Sequence, residues 1–118
     1  MEAKCYLKYQ RYGTRKVGEV LKKVVGKTLF EAEHILKFMS KRPTDIVHKA
    51  VMSAGANLSV KLGKKVDLKS TWITTAYSCM GSMKALRRFN AGPMGRAMPF
   101  KRSMCHITVI VADSKGAK

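Results

Sequence analysis

The chain has 118 residues, enough for one modest hydrophobic core and little more. Apolar residues make up 46% of it, which excludes a wholly disordered chain. Twenty-four Lys and Arg against seven Asp and Glu leave a formal net charge of +17, self-repelling in a compact fold unless a polyanion neutralises it.

Cys5, Leu7 and Tyr9 alternate with Lys4, Tyr6, Lys8 and Gln10 and predict a half-buried strand. Arg11-Tyr12-Gly13 turns the chain, and Thr14 is placed to N-cap a first helix. Val17, Val20, Leu21, Val24 and Val25 form its apolar stripe, and Gly26 ends it. Thr28-Leu29-Phe30-Glu31 has the form of a capping box, with hydroxyl and carboxylate each satisfying an orphan backbone donor. The helix behind it carries Leu29, Ala32, Leu36 and Met39 inward until Lys41-Arg42-Pro43 breaks it. A third helix begins near Thr44 and buries Val47, Ala50, Val51, Ala54 and Leu58. Ser53, Ala54, Gly55 and Ala56 are small, so another element can approach closely there. Gly63-Lys64-Lys65 ends this helical half. Val66–Tyr77, rich in β-branched and aromatic residues, predicts a strand, and Ile107–Val111 another. The tail from Ser114 to Lys118 is expected to fray.

The segment from Cys79 to Cys105 is too long for an ordinary connection. It carries Lys84, Arg87, Arg88, Arg96, Lys101 and Arg102, and no acidic residue occurs from Leu68 to Ala112. Met83, Leu86, Phe89, Met94, Met98, Phe100 and Met104 are interleaved with the cations, too many apolar groups for a merely solvated charged face. Pro93 and Pro99 stiffen the segment, and glycines at 81, 92 and 95 permit close backbone approach. Irregular, basic and partly apolar is the character of a segment that enters folded RNA, whose deep major groove resists a helix.

Other chemistry finds little support. Gly26-Lys27-Thr28 imitates the end of a phosphate-binding loop, but Leu21 stands where that motif needs glycine, and a helix precedes it instead of a strand. His34, His48 and His106 have no His partner at metal-ligand spacing. The few carboxylates form no catalytic pair, and Ser103 near His106 lacks a suitably placed Asp. Cys5, Cys79 and Cys105 are odd in number and widely spaced, as expected of reduced thiols. No apolar run spans a bilayer and no signal peptide opens the chain, so a cytoplasmic protein is expected. Charge alone leaves a DNA-binding or nucleoid protein as the runner-up, although no recognition helix or dimerisation seam is evident. An RNA-modifying enzyme, the third class, would need a cofactor or acid–base site that the sequence does not offer.

Gly95-Arg96-Ala97, followed by basic residues and then His106-Ile107-Thr108-Val109-Ile110-Val111, resembles the C-terminal signature of the large-subunit ribosomal protein L twenty-two family, bacterial type. Met1-Glu2-Ala3, Arg15-Lys16-Val17, Val25-Gly26-Lys27 and Ser53-Ala54 through Ala56-Asn57 are similar to family segments in the same order. The resemblance implies an α+β fold: three helices packed on a small antiparallel three-stranded sheet with a long extended β-hairpin. It implies a single domain over 1–118 with the hairpin at 78–106. A structural, non-enzymatic constituent of the large ribosomal subunit is then expected, in the cytoplasm, as one copy, off the membrane, with neither cofactor nor metal. Its expected partners are large-subunit rRNA, neighbouring large-subunit proteins and, at the hairpin tip, the nascent peptide. Candidate rRNA-binding residues are Arg11, Arg15, Lys16, Lys27, Lys84, Arg87, Arg88, Arg96, Lys101, Arg102 and His106. By position Leu86, Arg87 and Arg88 correspond to the tip that lines the peptide exit tunnel. The sequence departs from the family pattern at Cys79-Met80-Gly81-Ser82, where relatives often carry an acidic Gly-Pro turn, and in the spacing before Gly95 and around Lys101-Arg102.

Overall fold

The computed structural model describes residues 1–82 and 87–113. Their order is β1 (Glu2–Gln10), α1 (Thr14–Val24), α2 (Leu29–Phe38), α3 (Thr44–Leu62), β2 (Trp72–Met80), β3 (Arg87–Ala91), β4 (Ala97–Lys101) and β5 (Cys105–Ala112). The fold is α+β. β5 lies between β1 and β2 in an antiparallel three-stranded sheet, and β3 pairs with β4 in a separate two-stranded ribbon. The expected fraying of the tail concerns 114–118, outside the described residues.

The helices cover one face of the sheet. Val17, Val20, Leu21 and Val24 of α1, with Leu29, Ala32 and Leu36 of α2, join Val47, Ala50, Val51, Ala54 and Leu58 of α3 in the core. Ala3, Cys5, Ile73, Cys105, Ile107, Val109 and Val111 complete it from the strands. The predicted stripes are the buried stripes with two exceptions: Val25 sits beyond α1 and is exposed, and Met39 sits beyond α2 and is half-buried. The small-residue run acts at one position. A Cβ on Gly55 would lie 3.1 Å from Leu29 Cδ1, so α2 meets α3 there, while Ser53 and Ala56 face solvent. Leu58→Ala removes a fully buried side chain and is expected to cost about 2–5 kcal/mol, read as a lower urea midpoint at unchanged m-value.

Caps and strand boundaries differ in part from the sequence expectation. Gly13, not Thr14, precedes α1, with no side-chain cap. Thr28 does cap α2, its hydroxyl accepting from the Glu31 N–H at 3.2 Å. The strand predicted from Val66 begins only at Trp72. Residues before it are held in a turn on Asp67, whose carbonyl accepts from the N–H groups of Ser70 and Thr71, both at 3.2 Å. Both sheet edges are engaged at one end. Asn57 Nδ2 and Lys61 Nζ of α3 donate to the carbonyls of Lys4 and Glu2 on β1, each at 2.9 Å. Ile73 exchanges backbone hydrogen bonds with Gly26 and Lys27, also at 2.9 Å, which covers the start of the β2 edge.

One predicted inward residue leaves the core. Leu7 pairs with Ile107 and Gln10 with Cys105, so Lys8 and Tyr9 together oppose His106 in a bulge. Tyr9 adopts the left-handed φ of 53° and is 58% exposed, on the opposite face from Cys5 and Leu7.

The molecule is not compact throughout. Its extents are 64 × 27 × 25 Å and its radius of gyration is 17.5 Å. A compact chain of this length would have roughly 13–14 Å. The β3–β4 ribbon accounts for the excess, as an arm continuing from the β2–β5 pair beyond Met80 and Cys105.

Candidate nucleic-acid interface

The arm starts where β2 and β5 part. Gly81 N–H donates to Met104 O at 2.8 Å at this junction. In the ribbon Arg87 opposes Lys101, Arg88 opposes Phe100, Phe89 opposes Pro99, Asn90 opposes Met98 and Ala91 opposes Ala97. The ladder closes with Gly92 N–H donating to Arg96 O at 2.7 Å. Hydrogen-bonded and open pairs alternate from there, which makes Phe89–Pro99 an open pair. Pro99 therefore lacks its N–H where the ladder needs none, and it blunts the ribbon edge against further strand pairing.

The chain reverses at Pro93–Arg96. Arg96 N–H donates to Pro93 O at 3.3 Å, and the residues between, Met94 (φ 55°) and Gly95 (φ 71°), are both left-handed. Gly95 meets that demand without strain. Met94, at this reversal, is 98% exposed. This corrects the position of the tip. The apex is Met94–Gly95. Arg87 and Arg88 lie at the other end of the ladder, next to the body, and Leu86 falls outside the described residues. The Gly-Pro and Met-Gly pairs are the turn signal that identifies this apex in sequence.

At the base of the arm a cleft of about 650 Å³ opens between the β1–α1 turn and the returning strand. Arg11 and Gly13 form one wall, and Arg88, Phe100, Lys101, Arg102, Ser103 and Met104 the other. Four predicted cations, Arg11, Arg88, Lys101 and Arg102, thus meet in one place although most of the chain separates the first from the rest. The register does this, because Gln10 pairs with Cys105. Arg15 and Lys16 follow Gly13 on the first turn of α1, exposed and with no acidic residue in that turn. Arg87 stands opposite Lys101, and Arg96 follows the apex. Lys27 is exposed on the α1–α2 connection, apart from the cleft lining. Lys84 lies outside the described residues. Phe100, read from the sequence as one of the apolar groups interleaved with the cations, lines the cleft beside them, and Arg42, which sequence reasoning missed as a candidate contact, borders the neighbouring groove with Arg11 and Tyr9.

His106 has a role within the protein. Its Nδ1 accepts from the Tyr9 N–H at 3.0 Å, and the two rings meet edge to face, 4.7 Å between centroids at 85°. A neutral imidazole accepting at Nδ1 carries its proton on Nε2. His106 therefore fixes the bulge before it contacts any ligand.

Two of the acids are already paired with lysines outside the cleft lining. Glu19 on α1 pairs with Lys41, and that hydrogen bond and charge hold its carboxyl below the usual range. Glu33 on α2 is lowered by its hydrogen bond and 2.8 Å ion pair to Lys37. Burial pushes the Cys105 thiol up, so it stays protonated near neutrality. Among the described residues no His, Cys, Asp and Glu cluster is arranged to hold a metal ion, and no helix is long and apolar enough to cross a membrane.

Every residue of β3 is exposed, as are those of β4 except Phe100. Limited trypsin digestion of the free protein is expected to cut first at Arg87, Arg88, Arg96, Lys101 or Arg102, with RNA protecting those sites. First cuts within α1 or α3 would place the weak segment elsewhere.

Comparison with known proteins agrees with this architecture. A family model described as "Ribosomal protein L22p/L17e" matches residues 5–112. A protein of Endomicrobium trichonymphae is 37% identical over 114 residues, covering 97% of this chain and 94% of the relative. One of Myxococcus xanthus is 33% identical over 115 residues, covering 98% and 99%. One of Clostridium kluyveri is 38% identical over 113 residues, covering 96% and 98%. All three carry the name large ribosomal subunit protein uL22. With the three-helix body, the sheet and the basic arm, matches over nearly the whole length establish that the chain belongs to the ribosomal protein L22p/L17e family.

Proposed function

We propose that the chain is a structural constituent of the large ribosomal subunit, where it binds and helps fold large-subunit rRNA and its hairpin apex lines the peptide exit tunnel. The family is structural and non-enzymatic. The observation that carries the rRNA reading is the cleft in which Arg11, Arg88, Lys101 and Arg102 converge beneath an arm free of acidic residues. Planar guanidinium groups suit bidentate contact with phosphate. The uncapped N-terminus of α1, flanked by Arg15 and Lys16, adds backbone donors at the cleft mouth. Arg87 and Arg96 extend the positive path along the ribbon. We assign Lys27 and Lys84 to the same rRNA-facing charge, and His106 to holding the junction of arm and body.

The tunnel assignment rests on shape. A two-stranded ribbon is narrow enough to thread between RNA helices, and its apex presents Met94 rather than a cation. The body would act as one domain, 1–118, as a single copy beside neighbouring large-subunit proteins in the cytoplasmic ribosome. The nascent peptide would meet only the apex.

The isolated protein should bind large-subunit rRNA with log affinity falling linearly in log salt, at about 0.7–0.9 per phosphate contacted. A flat salt response would contradict phosphate-dominated binding. Replacing Ala91–Ala97 with a two-residue Asn-Gly turn shortens the arm while keeping the Asn90–Met98 pair. Subunits should still incorporate that variant, with an altered macrolide response or altered nascent-chain stalling. Exclusion of the variant from subunits would make the apex an anchor instead.

A further inference from the structure

The helices cover only one face of the three-stranded sheet, and the other face has an unusual composition. Tyr6 on β1 and Tyr77 on β2 both oppose Thr108 on β5, so the three side chains lie in one row across the sheet. Thr108 is buried between them, while Tyr6 is 59% and Tyr77 42% exposed. His106 is next along β5 on the same face. Beside it the bulge in β1 brings Tyr9 over from the core side, its ring set against the imidazole. Lys4 and Lys8 flank Tyr6 on the same strand and are exposed. Beyond Tyr9 a groove of about 560 Å³ is bordered by Arg11 and Arg42, with Asp45 also on its wall. Glu2 lies on the sheet face too, at the far end, opposite Ala112.

We propose that this open face is a second RNA-binding surface, on which Tyr6, Tyr9 and Tyr77 each stack an unpaired nucleobase while Lys4, Lys8, Arg11 and Arg42 take the adjoining phosphates. The proposal rests on the rRNA-binding reading and extends it from the arm to the body. Three features carry it. The first is the strained backbone at Tyr9. Glycine would satisfy φ 53° without a penalty, yet a large ring stands there, exposed and set edge to face against His106. The second is spacing. Tyr6 and Tyr77 are separated by two strand spacings, about 10 Å, so each ring can take its own base. The third is continuity, since Arg11 borders both this groove and the cleft at the base of the arm. A strand leaving the cleft can pass Arg11 onto Tyr9. Asp45 and Glu2 repel phosphate at their positions, which confines the backbone path to the Lys and Arg side. Aromatic rings on an open sheet with cations beside them suit single-stranded RNA and not a continuous A-form duplex, whose bases are already stacked.

The test uses the full chain and two probes of equal length, a single-stranded oligoadenylate and a blunt RNA duplex. Tyr6, Tyr9 and Tyr77 are changed singly to Leu, which keeps apolar cover over Thr108 without a π face, and to Phe, which keeps the face. Thermal unfolding checks that each variant is folded. Each Leu variant is expected to lose roughly 5- to 100-fold in affinity for the single strand, with duplex affinity little changed. The Phe variants should retain single-strand binding. Tyr9→Gly, which relieves the backbone strain and removes the ring, should weaken single-strand binding as Tyr9→Leu does. Wild-type binding with unchanged Leu variants would overturn this proposal and leave the arm's role standing. Absence of any RNA binding by the wild type would instead defeat the rRNA reading itself. Unchanged RNA affinity combined with failed incorporation of the Leu variants into subunits would assign the face to a neighbouring protein and also overturn the proposal.

Discussion

Replacing Arg88, Lys101 and Arg102 together with alanine is expected to lower the affinity for large-subunit rRNA by roughly 10³-fold at low salt. These side chains form one wall of the cleft, opposite Arg11, and no acidic residue lies near them in sequence. A hydrogen bond to a charged partner contributes about 1.5–3 kcal/mol, and solvent exposure places each of these near the lower figure. The salt slope should flatten by about 2–3, because up to three phosphate contacts are lost. Net charge is separable from geometry by changing Lys37, Lys41 and Lys49 to alanine instead. That variant carries the same formal charge, but its changes lie on and between α2 and α3, where Lys37 and Lys41 already pair with Glu33 and Glu19. It should lose far less affinity. Equal losses from both variants would mean that diffuse charge, and not the cleft, holds the RNA.

Gly92→Ala should open the hairpin apex while leaving the body folded. A Cβ at Gly92 would lie 2.8 Å from the Arg96 carbonyl oxygen and 3.3 Å from Met98 Cγ. The methionine can swing aside, but the carbonyl cannot. It accepts the Gly92 N–H at 2.7 Å, so relieving the clash breaks the bond that closes the ladder. Overpacking of this kind costs about 1–3 kcal/mol, concentrated here on the turn. Amide exchange at Asn90 and Met98 should therefore speed up by roughly 5- to 150-fold, whereas the urea midpoint, set by the core, should barely move. Unchanged exchange at both amides would contradict the turn at Pro93–Arg96.

The body of the fold was legible because its helices carry clean stripes. Val17, Val20, Leu21 and Val24 recur at helical spacing, as do Val47, Ala50, Val51, Ala54 and Leu58, and all of them are buried. Three features escaped for physical reasons. Asp67-Leu68-Lys69-Ser70 sits within a β-branched run, but its backbone groups are spent on a turn around the Asp67 carbonyl, and propensity does not reveal that competition. Tyr9 obeys the alternation of a strand until the bulge adds a residue, and period-two patterning cannot register an insertion that His106, remote in sequence, stabilises. The cleft unites Arg11 with Arg88, Lys101 and Arg102 through the pairing of β1 with β5, a tertiary fact. Their basic character was plain in the sequence, and their convergence was not. The apex was a different case. Gly92-Pro93-Met94-Gly95 already carried the turn chemistry, and placing the tip by family position at Leu86–Arg88 overrode that local signal.

Ultraviolet cross-linking of large subunits that have incorporated a tagged copy of the chain, with the adducts mapped by peptide mass spectrometry, tests the account most directly. The tagged chain should co-sediment with large subunits. Its rRNA adducts should concentrate in the peptides spanning Arg87–Arg102 and Arg11–Lys16, the two walls of the cleft and the arm above them. Failure to co-sediment, or adducts confined to the outer surfaces of α2 and α3, would contradict it.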